Sequence, residues 1–181
     1  MFRATASIAA VALLVGGTLA DDLKSGPAVG QSVGAFLPLN VTGPDAGKAA
    51  CLVCSNGSSP VVAIFARGLD ADLAALVKKV DAATLKNKKA ELASFVVVLD
   101  KAEKTERAVQ DFADTNALQA TILALDNPAG PKGYNLAKDA HITVLLYVGR
   151  KVKANFAFEK GKLTAADIDN ILKALPKILE E

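Results

Sequence analysis

The sequence predicts an α/β protein built as a mixed β-sheet with helices on both faces. Continuous runs of β-branched and aromatic residues alternate with helical patterns through the middle of the chain. Such runs are typical of parallel strands buried on both faces. A hairpin and a final helix then close the chain, which adds antiparallel strands to the sheet. The expected order is strand, loop, strand–helix–strand–helix–strand, hairpin, helix.

The composition is that of a globular protein and excludes several classes of function. Of 181 residues, 51% are apolar and 22% are charged, which excludes disorder for most of the chain. The net charge of +2 provides no strong field for nucleic acid or an acidic membrane. One histidine rules out a three-histidine metal site, and two cysteines rule out a disulfide-dense scaffold.

The first twenty residues have the pattern of a secretory signal peptide. Arg3 precedes the uncharged apolar stretch Ile8–Val15, and the small residues of 18–20 suit a signal peptidase. An uncleaved anchor is the alternative, but the stretch is short against the roughly 20 residues that span a bilayer. We therefore expect export to the periplasm or the extracellular space, without a stable membrane span after cleavage. Paired cysteines form disulfides in such compartments.

The mature chain is expected to begin with a linker at 21–33, followed by one domain at 34–181. The linker is polar and rich in glycine, which predicts a mobile arm. An edge strand is predicted at Ala35–Leu39, because its proline is tolerated at a sheet edge. Turn-forming residues predict a long surface loop over Val41–Ser59, and this loop contains both cysteines.

The central elements follow from apolar runs and helical spacing. Three buried strands are predicted at Val61–Ala66, Ser94–Leu99 and Thr121–Leu125. Helices are predicted from an N-cap at Asp70 through Lys86, and over Thr105–Leu118.

The last third of the chain predicts a hairpin and a capped helix. Strands Thr143–Val148 and Lys151–Phe158 are joined by a glycine-containing turn. A capping box of Thr164 with Asp167 begins the last helix, which Pro176 is expected to kink or end. One or two helical turns are predicted over Tyr134–Lys138, before the hairpin.

This order of elements resembles the thioredoxin-like superfamily, in particular its peroxiredoxin and membrane-anchored thioredoxin branches. The segments that carry the resemblance are Val29–Phe36, Val61–Ala66, Ala140–Leu146 and Lys160–Leu179. They correspond to the family's lead-in segment, first core strand, cis-proline segment and terminal helix. The resemblance implies a thioredoxin-like sheet and a thiol-based activity.

Two positions depart from the family pattern. The family's redox cysteines follow the first core strand, where the next helix begins, and this chain has the cysteine-free segment Arg67–Asp72 there. Ile142 occupies the place of the cis-proline, and a cis bond before a residue other than proline is rare. Redox chemistry in this chain would therefore use an unusual position.

The segment Cys51-Leu52-Val53-Cys54 is the one chemical motif of the chain. Two intervening residues allow the sulfurs to alternate between dithiol and disulfide. A static disulfide and a two-sulfur site for a soft metal such as copper are the alternatives, so the metal assignment stays open. Ser55 stands where covalent haem attachment needs histidine, which excludes c-type haem. A zinc site would need two further ligands.

The sequence predicts thiol–disulfide exchange with other exported proteins, without a cofactor. In the family that the chain resembles, the more N-terminal cysteine attacks. The resemblance therefore implies that Cys51 is the attacking thiolate and Cys54 the resolving thiol. The rival is a non-enzymatic thioredoxin-fold module whose disulfide loop is structural or binds a partner or a soft metal. A degenerate member retained as a scaffold is a third possibility.

The position of Cys54 ahead of the Val61 strand predicts a separation from the usual reactive end. Because the cysteines precede this strand, they are expected toward its N-terminal end. The family's reactive site lies at the C-terminal end, and six strand residues separate the two ends by about 20 Å. His141 is expected at the opposite end, near Arg67 and Asp70. It would be a general base or metal ligand, or else a partly buried histidine at a strand start.

Overall fold

The computed structural model describes residues 23–100 and 103–180. The signal peptide expected over residues 1–20 lies outside the described residues. Within the described part, the strands are β1 (Leu39–Asn40), β2 (Val61–Ala66), β3 (Ala93–Leu99), β4 (Ile122–Asp126), β5 (Ile142–Val148) and β6 (Lys151–Phe158). The helices are α1 (Leu52–Ser55), α2 (Ala71–Lys86), α3 (Glu103–Thr115), α4 (Ala165–Lys173) and α5 (Pro176–Leu179), with a 3-10 turn at Lys88–Ala90.

The strands form one mixed sheet in the order β1-β4-β3-β2-β5-β6. Strands β2, β3 and β4 are parallel, whereas β5 pairs antiparallel with β2 and β6 pairs antiparallel with β5. All six residues of β2 are buried, as the apolar run predicted. The predicted α/β class with a mixed sheet is therefore confirmed.

The two faces of the sheet are covered in different ways. Consecutive strand residues point to opposite faces. On one side, called the helical face, Val62 and Ile64 pack with apolar residues of α2, α3 and α4. On the other, called the disulfide face, Ala63 and Phe65 pack with α1 and with non-helical chain. The parallel crossovers from β2 to β3 and from β3 to β4 run in the same direction, so their right-handedness puts α2 and α3 on one side.

The helix ends follow the predicted caps. Asp70 accepts a hydrogen bond from the N–H of Leu73 at 2.9 Å and begins α2. Thr164 and Asp167 form the capping box of α4. The chain bends after α4, and Pro176 stands at the first position of α5. These three predictions are confirmed because capping depends on neighbouring residues alone.

Asp81 ties α2 to the start of β4. Its carboxylate accepts hydrogen bonds from the backbone N–H groups of Gln119, Ala120 and Thr121, the shortest at 2.7 Å. Burial by itself would raise the pKa of Asp81. The three N–H donors outweigh burial, because they stabilise the charged form, and hold the pKa below its ordinary value of 3.8.

The segment expected to be a mobile linker is packed against the sheet where it is described. The N–H of Gly30 donates a hydrogen bond to the carbonyl of Val152 at 2.8 Å, and the N–H of Val152 donates to the carbonyl of Gln31 at 2.9 Å. Ser25 is 2% exposed, and its hydroxyl lies 2.7 Å from that of Thr143. The prediction of a linker is wrong for residues 23–33, because pairing with the edge strand β6 orders a glycine-rich sequence.

The segment Tyr134–Lys138 is not helical, which corrects the expected helical turns. Tyr134 and Leu136 instead point into the apolar cluster of the disulfide face. The phenol of Tyr134 donates a hydrogen bond to the carbonyl of Gly34 at 2.7 Å. Between Tyr134 and Leu136, Asn135 has a left-handed backbone with a φ of 53°, so a right-handed helix cannot continue through this stretch.

Candidate functional site

The two cysteines form a disulfide across the helix α1. Cys51 is the N-cap residue, and Cys54 lies within the helix, with a Cα–Cα distance of 5.2 Å. The N–H of Cys54 donates to the Cys51 sulfur at 3.0 Å and to the Cys51 carbonyl at 3.1 Å. The predicted loop thus contains a short helix, and a cysteine occupies the capping position that serine or aspartate usually fills.

Burial of two apolar residues fixes α1 against the sheet. Leu52 is 3% exposed and Val53 is fully buried, and both belong to the apolar cluster of the disulfide face. These residues are the two between the cysteines, so the motif itself supplies the apolar contact. The consequence is that the disulfide is held on a packed element.

The disulfide borders a shallow apolar cavity. The cavity has a volume of about 430 Å³, and its lining includes Ala35, Phe36, Leu37 and both cysteines. Leu37 is 67% exposed. Residues 35–37 belong to the segment that was predicted as an edge strand, whereas β1 begins only at Leu39. An apolar surface of this kind lies directly beside the sulfurs.

An aromatic cluster connects this cavity to the sheet. The ring of Phe36 lies 6.1 Å from that of Phe65 and 5.4 Å from that of Tyr134, measured between centroids. Phe65 and Tyr134 pack edge to face at 5.3 Å. Phe65 is close to the C-terminal end of β2, so Phe36, which lines the cavity, packs beside that part of the strand.

The chain between the disulfide and β2 returns to the N-terminal end of that strand. The carbonyl of Ser58, between Cys54 and β2, accepts a hydrogen bond from the N–H of Gly149 in the hairpin turn, at the N-terminal end of β2. The disulfide itself lies over the sheet face, because Leu52 and Val53 hold α1 there. Cys51 and Cys54 share a cavity with Phe36.

His141 lies where the sequence placed it, beside the start of α2. Its Nε2 is 2.6 Å from Oδ2 of Asp70, and the imidazole is packed over Gly68. Burial by itself would raise the pKa of Asp70, but the N–H of Leu73 and the imidazole outweigh it and lower the pKa. His141 is 9% exposed, which agrees with a buried histidine at a strand start.

Arg67 organises the backbone around this histidine. Its backbone N–H donates to the His141 carbonyl at 2.9 Å. Its guanidinium donates to three carbonyl oxygens, those of Pro128, Ala137 and Ala140. The side chain therefore stabilises the turn before β5. The surface cavity at this place is lined by Arg67 and Lys138 among others, and is distinct from the one beside the disulfide.

Metal-binding clusters and membrane-spanning helices are both absent from the described ranges. No group of three or more histidine, cysteine, aspartate or glutamate side chains is arranged to hold a metal ion among residues 23–100 and 103–180. In the same part of the chain, every helix is too short or too polar to cross a bilayer. The peptide bond before Ile142 is trans, as are the other described peptide bonds.

Solved structures show which fold this is. A solution structure described as a candidate protein disulfide isomerase from Bacteroides thetaiotaomicron superposes with a TM-score of 0.68 at 18% identity, covering 88% of this chain and 96% of that one. A candidate thiol:disulfide interchange protein DsbE from Chlorobium tepidum gives a TM-score of 0.55 at 20% identity, covering 85% and 99%. The 2-Cys peroxiredoxin of Plasmodium vivax gives 0.61 at 14% identity, covering 82% and 81%.

The chain has a thioredoxin-like fold, as the resemblance in its sequence implied. No protein-family model and no curated protein sequence matches it. The similarity to the solved structures is therefore one of fold, and the chemistry has to be argued from the Cys51–Cys54 pair itself. That pair is bridged in this structure, so it is competent to form the disulfide that exchange requires.

Sequence reasoning found the cysteines and His141 but missed the surface beside the sulfurs. Residues 35–37 are separated from Cys51 by a turn over Gly43–Gly47, and nothing in their sequence indicates that they return to it. Antiparallel pairing places residues 35–37 beside Cys51. Leu39 pairs with Ala49, and the carbonyl of Pro38 accepts a hydrogen bond from the N–H of Ala50. The exposure of Leu37 beside the sulfurs is a property of the folded chain.

Proposed function

We propose that this protein carries out thiol–disulfide exchange through Cys51 and Cys54, which alternate between a disulfide and two thiols. The observation that carries the proposal is a bridged CxxC pair on a thioredoxin-like fold, with Cys54 exposed and an apolar cavity beside it. A partner thiol has to reach one sulfur of the bridge. The exposure of Cys54 provides that access.

The partners proposed are other exported proteins. The cavity beside the bridge is lined by Ala35, Phe36 and Leu37, and apolar surface of this kind suits a polypeptide segment that carries a cysteine. Protein side chains of the partner would pack on Leu37 while its thiol or disulfide approaches the bridge. No cofactor takes part, because the electrons pass directly between sulfurs.

Export is the second part of the proposal and rests on residues 1–20. The test is expression of the full chain in a bacterium with a periplasm, followed by fractionation and N-terminal sequencing of the product. We expect a periplasmic protein that begins at Asp21. A product that stays in the cytosol would contradict export, and an exported product that retains Met1 would contradict cleavage. Neither outcome affects the proposed chemistry.

Reduction of insulin disulfides by dithiothreitol tests the activity. The wild-type protein should accelerate insulin precipitation, and the variants Cys51→Ser and Cys54→Ser should not. Ser58→Ala is a matched control near the pair, because Ser58 is exposed and contributes its carbonyl to the hairpin contact. If wild type and both cysteine variants are equally inert, exchange is abandoned.

The reduction potential of the pair distinguishes exchange from a structural bridge. A value between about −270 and −120 mV is the range of known dithiol oxidoreductases, whereas structural disulfides lie below about −300 mV. Equilibration with glutathione or dithiothreitol redox buffers, followed by alkylation and mass spectrometry, measures it. We expect a value within the oxidoreductase range.

The burial of Leu52 and Val53 favours a second candidate, a non-enzymatic module. In that case the bridge only completes the packing of α1, and a reduction potential below about −300 mV would support it. Alternatively, the non-enzymatic module binds a soft metal through the reduced Cys51 and Cys54, since two thiolates suit copper(I). Titration of the reduced protein with copper(I), with the double variant Cys51→Ser/Cys54→Ser as control, tests that alternative.

A further inference from the structure

We infer that Cys54 is the sulfur that exchanges with the partner and that Cys51 is the thiolate that leaves and later resolves the mixed disulfide. This inference rests on the exchange proposed above. It reverses the order that the sequence predicted, in which the first cysteine of the motif attacks. The reason for the reversal lies in the different surroundings of the two sulfur-bearing residues.

Access differs between the two cysteines. Cys54 is exposed, whereas Cys51 is partly buried and packs against the apolar cluster of the disulfide face. The exposure follows from the register of α1, because Leu52 and Val53 face the sheet and Cys54 follows them on the outer side. An incoming sulfur therefore meets Cys54 first.

Stabilisation of charge also differs between them. The N–H of Cys54 donates to the Cys51 sulfur at 3.0 Å. The same N–H donates to the Cys51 carbonyl within the turn, which holds the donor in place. A hydrogen-bond donor favours the charged form of a sulfur, so the electron pair released by bridge cleavage is better accommodated on Cys51. A better-stabilised leaving thiolate departs faster.

The reductive half-reaction follows from these two differences. A partner thiolate attacks the Cys54 sulfur, a partner–Cys54 bond forms, and the Cys51–Cys54 bond breaks with its electron pair on Cys51. A second partner thiolate, formed by loss of its proton to solvent, then attacks the partner sulfur of this mixed disulfide. Cys54 leaves as a thiolate, and the partner's two thiols have become one disulfide. The protein has gained the two electrons that the partner lost.

The reverse half-reaction uses the same bonds in the opposite direction. The exposed Cys54 thiol loses its proton to solvent, and its sulfur attacks a partner disulfide to form the mixed disulfide, with one partner sulfur leaving as a thiolate. The Cys51 thiolate then attacks the Cys54 sulfur, which restores the bridge and releases the second partner sulfur. Removal of Cys51 should therefore trap the mixed disulfide on Cys54.

Trapping with oxidised insulin tests this order. Each reduced single variant, Cys51→Ser and Cys54→Ser, is incubated with insulin, quenched with acid, alkylated, and mapped by mass spectrometry. We expect at least tenfold more mixed disulfide on Cys54 of the first variant than on Cys51 of the second. Circular dichroism checks that both variants are folded, and the pair Cys51→Ala and Cys54→Ala repeats the comparison.

The outcomes separate this inference from the proposed function. Equal or greater trapping on Cys51 overturns the inference while exchange stands. Wild-type protein that reduces insulin, with neither variant forming a mixed disulfide, overturns it as well. Wild-type protein that fails to reduce insulin removes the proposed function, and the assignment of the two sulfurs falls with it.

Discussion

Reduction of the Cys51–Cys54 disulfide should lower the free energy of unfolding by about 2 kcal/mol and leave the protein folded. The bridge joins residues only three apart in sequence, so it closes a very short loop. A loop of that size restricts the unfolded chain little, which limits the stabilisation to that figure on the chain-entropy model. A protein that cycles between the disulfide and the dithiol has to stay folded in both states, and a small contribution of the bridge to stability allows this.

Apolar burial holds α1 more strongly than the bridge does. Leu52 and Val53 are almost completely buried, and each such side chain contributes roughly 1.5–3 kcal/mol relative to exposure. The combined contribution exceeds that of the short cross-link, so α1 should stay in place after reduction. The replacement Leu52→Ala should cost about 2–5 kcal/mol, more than reduction does.

Urea unfolding followed by circular dichroism measures these differences. The samples are oxidised wild type, wild type in dithiothreitol, and the double variant Cys51→Ser/Cys54→Ser with and without dithiothreitol. The double variant should match reduced wild type and ignore the reductant, which controls for effects of the reagent. A reduced protein that is unfolded without urea, or a loss above about 4 kcal/mol, would refute the reasoning, because the bridge would then be structural.

Three further predictions concern the scaffold, each read out by urea or thermal unfolding. Asp81→Ala should lower the free energy of unfolding by about 2 kcal/mol, since it removes the acceptor of three backbone N–H groups, of which that of Thr121 is buried. Because the folded pKa of Asp81 is lowered, the stabilisation of the fold by its carboxylate is complete above the unfolded-state pKa near 4 and is lost as pH falls below that value. If the stability of Asp81→Asn depends on acidic pH in the same way as that of wild type, this prediction is contradicted. Gly130→Ala should lower the free energy of unfolding more than Gly133→Ala does. Both glycines have positive φ, but only at Gly130 would a Cβ lie 2.6 Å from Leu136. Equal losses in the two variants would count against the packing argument. Thr164→Ala should cost about 1 kcal/mol through loss of the cap, and no measurable change would argue against that role.

Elements that depend on local pattern were predicted well. The strands β2 and β3, the helix α2 with its Asp70 cap, and the hairpin of β5 and β6 lie within a residue or two of the expected bounds. Apolar periodicity and caps are properties of neighbouring residues, so they can be recognised without the fold. His141 beside Asp70 was also expected, because the resemblance aligned both with the same end of the sheet.

Elements that depend on distant partners were predicted poorly. The segment 23–33 has the composition of a linker, yet hydrogen bonds to β6 order it. The helix α1 is only four residues long and was predicted as loop, since so short a helix is stable only through tertiary packing. Tyr134–Lys138 was expected to be helical and is irregular, because Tyr134 and Leu136 fill the disulfide face.

The amino-acid order alone therefore determined that this chain forms a mixed α/β sheet with one pair of cysteines spaced to close a bridge. The tertiary structure decided which of those cysteines faces solvent, which sulfur receives a hydrogen bond, and which apolar residues surround them. Spacing along the chain is a local property. The surroundings of Cys51 and Cys54 arise from residues 35–37 and from the buried sheet face, which only folding brings to them.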